Sequence, residues 1–217
     1  MSSPFDIPQK APRVLVPEGK YTGILYLIAD LGHHRETFEG KETIKHKIHL
    51  AWELVGTKME DGRPYVIGKD FTVSPSKFHA GEFYFAKTSN IYKLIKSWSN
   101  QEKVRTDPGV LVELLNTAYP ATINVEHKEP RDKTKPPYSV MDSVKPYKGK
   151  DNPVRVNEPI DGVSKLATNF EKLPEWIQEK IEASLERNGG VPERVYDDAP
   201  DPDPNNGAEA GDDDLPF

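Results

Sequence analysis

Apolar positions in the first 150 residues recur mostly at intervals of two. The run 20–32, KYTGILYLIADLG, is rich in β-branched and aromatic residues and closes on Gly32, which predicts a long strand. In 43–54, TIKHKIHLAWEL, the alternation is clean. Ile44, His46, Ile48, Leu50, Trp52 and Leu54 share one face, and Lys45, Lys47, His49, Ala51 and Glu53 share the other. The parity of Trp52 with Ile48 and Leu50 assigns it to the core. Between these runs, 33–42 is polar with Gly40 and reads as a loop. Asp61-Gly62 is a hairpin signal, and 65–74, YVIGKDFTVS, reads as a third strand with Gly68 a bulge or a point of close approach.

The period then changes to helical. Ser89 is a candidate N-cap before Ile91, Leu94, Ile95 and Trp98, spaced i, i+3, i+4, i+7. Asp107-Pro108 opens a shorter helix with Leu111, Leu114 and Leu115 inward. Two further strands follow at 121–129 and 138–147, separated by a basic, proline-rich loop. Five strands with a helical connection between the third and fourth is the order of the OB-fold, a partly open Greek-key barrel. A mainly β fold of this kind is therefore expected over 18–147. It follows an extended arm at 1–17 and precedes a linker at 148–169. A C-terminal helix is expected at 170–188, with Leu173, Ile177, Ile181 and Leu185 as a narrow stripe that could dock on the barrel, pair with another copy or meet a partner. Docking on the barrel is the expectation. Residues 189–217 are acidic, rich in Pro and Gly, and are expected to be disordered.

Charge sharpens this division. Residues 1–150 hold 23 bases and 18 acids (+5), 151–190 hold five bases and eight acids (−3), and 191–217 hold one base and nine acids (−8). A mildly basic body with an acidic tail is common among nucleic-acid-binding proteins. The chain has no cysteine, which excludes disulfides and thiolate sites. No apolar run approaches the roughly 18 residues of a membrane span, and the N-terminal residues lack a signal-peptide core. A cytoplasmic protein is expected.

Enzyme signatures are missing. His46 and His49 are separated by an odd interval on a strand, so they point to opposite faces and cannot chelate one ion. There is no phosphate-binding glycine loop and no nucleophile elbow. No catalytic group, metal or cofactor is expected. Binding of single-stranded nucleic acid is the better match, because it needs cations for phosphates and aromatic faces for bases. The second strand offers Lys45, Lys47 and His49, and the third offers Tyr65, Lys69 and Phe71. The loop between strands one and two offers His33, His34, Arg35 and Phe38, and the loop between strands four and five Lys128, Arg131, Lys133 and Lys135. In an OB-fold these four groups converge on one groove. Tyr65 and Phe71 carry two readings, stacking or core, because Ile67 shares their parity; a bulge at Gly68 would permit stacking. Phe83, Tyr84 and Phe85 precede the first helix, and one of them could extend the stacking surface.

The ending DDDLPF resembles the acidic tip of bacterial single-stranded DNA-binding proteins. The body, through ADLG…TIKHKIHLAWEL, DGRPYVIGKDFTVS and LIKSW, is similar to the OB-fold single-stranded DNA-binding proteins of tailed phages over about 18–147, with FHAGEFYFAK as an insertion. The resemblance implies a non-enzymatic protein of DNA replication, recombination and repair, located in the host cytoplasm if phage-encoded. Such a protein coats exposed strands and recruits a helicase, primase, polymerase or nuclease through the tip, here Asp212, Asp213, Asp214, Leu215, Pro216 and Phe217. The same tail could fold over the basic groove and compete with DNA. The rival expectation is an adaptor whose barrel binds protein and whose tail recruits replication enzymes.

Overall fold

The computed structural model describes residues 14–38, 40–73, 84–99, 103–130 and 132–189. Residues 1–13 of the expected arm, the aromatic Phe83, Arg131 and residues 190–217 of the expected tail, with its tip, lie outside these residues. Alternating residues build β1 (Gly19–Phe38), β2 (Lys41–Lys58) and β3 (Pro64–Val73). The turn at Asp61-Gly62 forms as expected, with Met59 N–H donating to Arg63 O at 2.8 Å. Two helices follow, α1 (Asn90–Ser99) and α2 (Gly109–Asn116), then β4 (Pro120–Lys128) and β5 (Tyr138–Pro146). Ser89 Oγ accepts the Tyr92 N–H at 3.3 Å, so the expected cap is in place. Among the described residues, no helix is long and apolar enough to cross a membrane.

The strands form one antiparallel sheet in the order β3-β2-β1-β4-β5. No ladder joins β3 to β5 among the described residues, so the sheet does not close into a barrel, where a partly open one was expected. Helix α1 lies at this gap and touches both edge strands. Its Ser97 hydroxyl donates to Val144 O of β5 at 3.3 Å. The main core fills the side of the sheet that faces α1 and α2, with Ile48, Trp52 and Phe71 against Ile91, Ile95, Trp98, Leu111 and Leu115.

Three expectations are corrected. The polar stretch 33–42 is mostly strand, because β1 and β2 continue as a hairpin arm from His33↔His46 to Phe38↔Lys41. Cross-strand ion pairs replace apolar packing there, which hides the strand from a hydrophobic pattern. The expected linker at 148–169 is anchored to the sheet. Arg155 Nη1 donates to Leu25 O (2.8 Å) and Leu115 O (2.7 Å), while Glu53 accepts the Val156 and Asn157 N–H groups at 2.7 Å each. It continues into β6 (Ile160–Gly162), which pairs parallel with β1 at Leu27–Ala29, beyond the end of β4. A Cβ on Gly162 would lie 2.8 Å from Ile28 O, so glycine is needed for this approach. Finally, the helix expected at 170–188 is divided. It holds a 3-10 turn at Phe170–Lys172 and α4 (Glu175–Glu182), and a short helix α3 (Leu166–Asn169) precedes it within the expected linker. Leu173 is extended before Pro174, as the residue preceding a proline prefers.

Candidate nucleic-acid interface

The expected groove lay on the face of β2 that carries Lys45, Lys47 and His49. That face is roofed by the C-terminal segment. Leu173, Ile177 and Ile181 pack on Leu27, Ala29 and Leu31 of β1 and Ala51 of β2 as a second core. Each such side chain contributes about 1.5–3 kcal/mol of burial. The helical stripe therefore docks on the sheet, as expected, but over the surface proposed for the ligand. Consequently both faces of β2 are buried from Lys47 to Leu54.

Polar contacts fix the roof. His49 is 1% exposed; its Nδ1 lies 2.6 Å from Asp70 Oδ1 of β3, and its ring meets Trp176 edge-on at 4.9 Å. Lys180 Nζ of α4 donates to the other Asp70 oxygen at 2.6 Å. Burial lowers the His49 pKa, with Asp70 acting in the opposite sense. Burial works against the Asp70 carboxylate, but the His49 and Lys180 hydrogen bonds outweigh it and hold its pKa below the usual range. A neutral His49 donating from Nδ1 fits this arrangement. The His49 ring also covers Gly68, where a Cβ would lie 2.5 Å from Nε2. Gly68 is thus a point of close approach and not a bulge, since the β2–β3 register runs unshifted from His46↔Val73 to Glu53↔Val66. Farther along, Glu186 accepts the His33 N–H at 2.9 Å and meets His33 Nδ1 at 2.5 Å. Burial opposes the Glu186 charge, yet these bonds lower its pKa. His33 stacks on His46 at 4.4 Å, and His46 pairs with Asp30 at 2.6 Å. His46 and His49 therefore take different carboxylates. Among the described residues no cluster suits a metal ion.

Several expected ligand contacts are otherwise engaged. Lys47 is 5% exposed and, with Lys45 at 2.8 Å, holds Glu36. Burial opposes the Glu36 charge, but the two lysines lower its pKa. Arg35 is exposed and pairs with Glu42 at 3.3 Å, and Phe38 is the last residue of β1. Phe71 is 6% exposed and belongs to the main core, and Tyr65 packs half-buried against it. Without a bulge, Phe71 keeps the inward parity of Ile67 and Val73, so the stacking reading of this ring is corrected to core. The aromatic Phe85 is fully buried as well.

Other expected cations remain at the surface. Lys128, Lys133 and Lys135 are exposed around the β4–β5 loop, where Asp132 accepts the Thr134 N–H at 3.0 Å and orders the turn. The register places this loop at the β2–β3 turn end of the sheet, and the tip of the β1–β2 arm at the other. The two loops thus do not meet at one end. Lys69 of β3 is exposed. Outside the expected set, α1 presents Lys93 and Lys96, with Lys87 just before it, all exposed. Their signal in the sequence is a helix of ten residues with two lysines and no acid. By contrast, Glu175, Glu179 and Glu182 are exposed on α4 and make the outside of the roof acidic. No protein family, curated protein or solved structure matches the chain.

Proposed function

We propose that this protein is a non-enzymatic single-stranded DNA-binding protein with little sequence preference, acting in DNA replication, recombination and repair. The observation that carries the reading is the strand order β3-β2-β1-β4-β5 with helices inserted between β3 and β4. We read this order as an OB-fold left open between β3 and β5, with β6 and the C-terminal roof as additions. Such barrels hold oligonucleotides by cations on the backbone and rings on the bases. The exposed Lys128, Lys133 and Lys135 of the β4–β5 loop supply cations outside the acidic roof. Asp212, Asp213 and Asp214 would engage a basic pocket on a helicase, primase, polymerase or nuclease, and Leu215, Pro216 and Phe217 an apolar slot beside it.

Titrating a dye-labelled oligo-dT with the protein at low salt, read by anisotropy, tests this. Saturable binding is expected, with log affinity falling against log salt by about 0.7 per phosphate contact. An unchanged anisotropy would end the DNA reading. The roof over β2–β3 favours a second reading, an adaptor whose barrel binds protein; that reading gains if oligo-dT fails to bind while the tip still captures replication enzymes.

A further inference from the structure

We infer that the exposed face of α1, together with Lys69 of β3, is a contact surface for the phosphate backbone of single-stranded nucleic acid. The inference rests on the proposed DNA reading and places part of the ligand away from the roofed β2–β3 face. Its first support is the state of the charges. Arg35, Lys45, Lys47, Arg63, Arg105 and Lys180 each already hold a carboxylate. Lys69, Lys87, Lys93 and Lys96 make no ion pair among the described residues. A phosphate reaching these four displaces only water and small ions, whereas at a paired lysine it must also displace an acid.

The second support is placement. Lys93 and Lys96, spaced i and i+3, share one side of a helix that has no acidic residue to oppose them. This helix lies at the β3–β5 gap. Lys69 has the inward parity of Ile67, Phe71 and Val73, all buried, yet is itself exposed. An inward-facing residue reaches solvent in this way because its edge of the sheet is not closed by a partner strand. The third support is the presence of rings beside the cations. Tyr65 shares the parity of Lys69, and Tyr92 lies one turn before Lys96; both are half-buried against the main core. Rings held at one side and open at the other can stack on unpaired bases, which a duplex does not offer. Charge complementarity together with these rings selects a single strand over an acidic peptide.

The test uses the full chain carrying Lys93→Gln and Lys96→Gln, with Lys165→Gln and Lys172→Gln as a control of equal charge loss on the C-terminal segment. Binding of dye-labelled oligo-dT is followed over a salt series. The α1 pair is expected to lower the slope of log affinity against log salt by about 1.4 and to weaken binding several-fold at low salt. The control pair should leave the slope unchanged. Equal slopes for wild type and the α1 pair would overturn the inference while leaving the DNA reading intact. Absence of oligo-dT binding by the wild type would sink the DNA reading itself. Equal binding and equal loss with duplex DNA would overturn the single-strand assignment, and loss only of binding to a DDDLPF peptide would reassign the surface to an acidic tail. If circular dichroism shows the double variant misfolded, Lys69→Gln alone supplies the same comparison, with an expected slope change of about 0.7.

Discussion

Asp70 joins three elements through one carboxylate. It receives His49 of β2 and Lys180 of α4 at 2.6 Å each. Asp70→Asn keeps one acceptor oxygen but turns the other into an amide donor and removes the charge, leaving either the buried imidazole or the lysine unpaired, and should cost about 3 kcal/mol, read as a lower urea midpoint. The pH profile follows from the two shifts. The His49 pKa is depressed in the fold, so its contribution is complete above the unfolded value of about 6.5 and is lost as pH falls below it. Asp70 is also depressed, so its contribution is complete above about 3.9 and is lost as pH falls through its lower folded value. Stability should therefore fall in two stages on acidification, and His49→Gln should remove the first. A profile unchanged by His49→Gln would contradict the neutral, buried histidine.

At the scale of elements, the C-terminal segment is part of the fold. Its stripe of Leu173, Ile177 and Ile181 covers Leu27, Ala29, Leu31 and Ala51. Deleting 190–217 should leave the melting temperature unchanged. Deleting 164–217 uncovers that apolar surface and should give aggregation or a loss of cooperative melting by circular dichroism; a soluble, cooperatively melting truncation would refute the roof. Docking of this stripe was legible from its spacing, and so were the five main strands and both middle helices. The hairpin arm was not, since its strands are stabilised by pairs such as Glu36 with Lys45 and carry no apolar face. His49 resembled a solvated face because Trp176, which meets its ring, comes from more than 100 positions along the chain, and Lys47 did so because its partner Glu36 lies in a stretch that reads as a loop. The anchoring of Arg155 and Glu53 was equally hidden, as a carbonyl or N–H partner leaves no mark on sequence periodicity.

For the whole molecule, the two sides of the sheet differ in charge and availability. One side is closed by α4, whose exposed Glu175, Glu179 and Glu182 repel phosphate. The other regions expose Lys69, Lys87, Lys93 and Lys96 near the open β3–β5 edge, and Lys128, Lys133 and Lys135 at the β4–β5 loop. The sequence showed a basic body and named the loop cations, but the lysines of α1 stood out only once Lys45 and Lys47 of the expected set were seen to hold Glu36. Lysine-reactivity footprinting by mass spectrometry, with and without saturating oligo-dT, tests this division most directly. Protection is expected at Lys69, Lys93, Lys96, Lys133 and Lys135, with Lys165 and Lys172 unchanged. Protection confined to Lys45 and Lys47, accompanied by increased reactivity of Lys180 as the roof lifts, would contradict it.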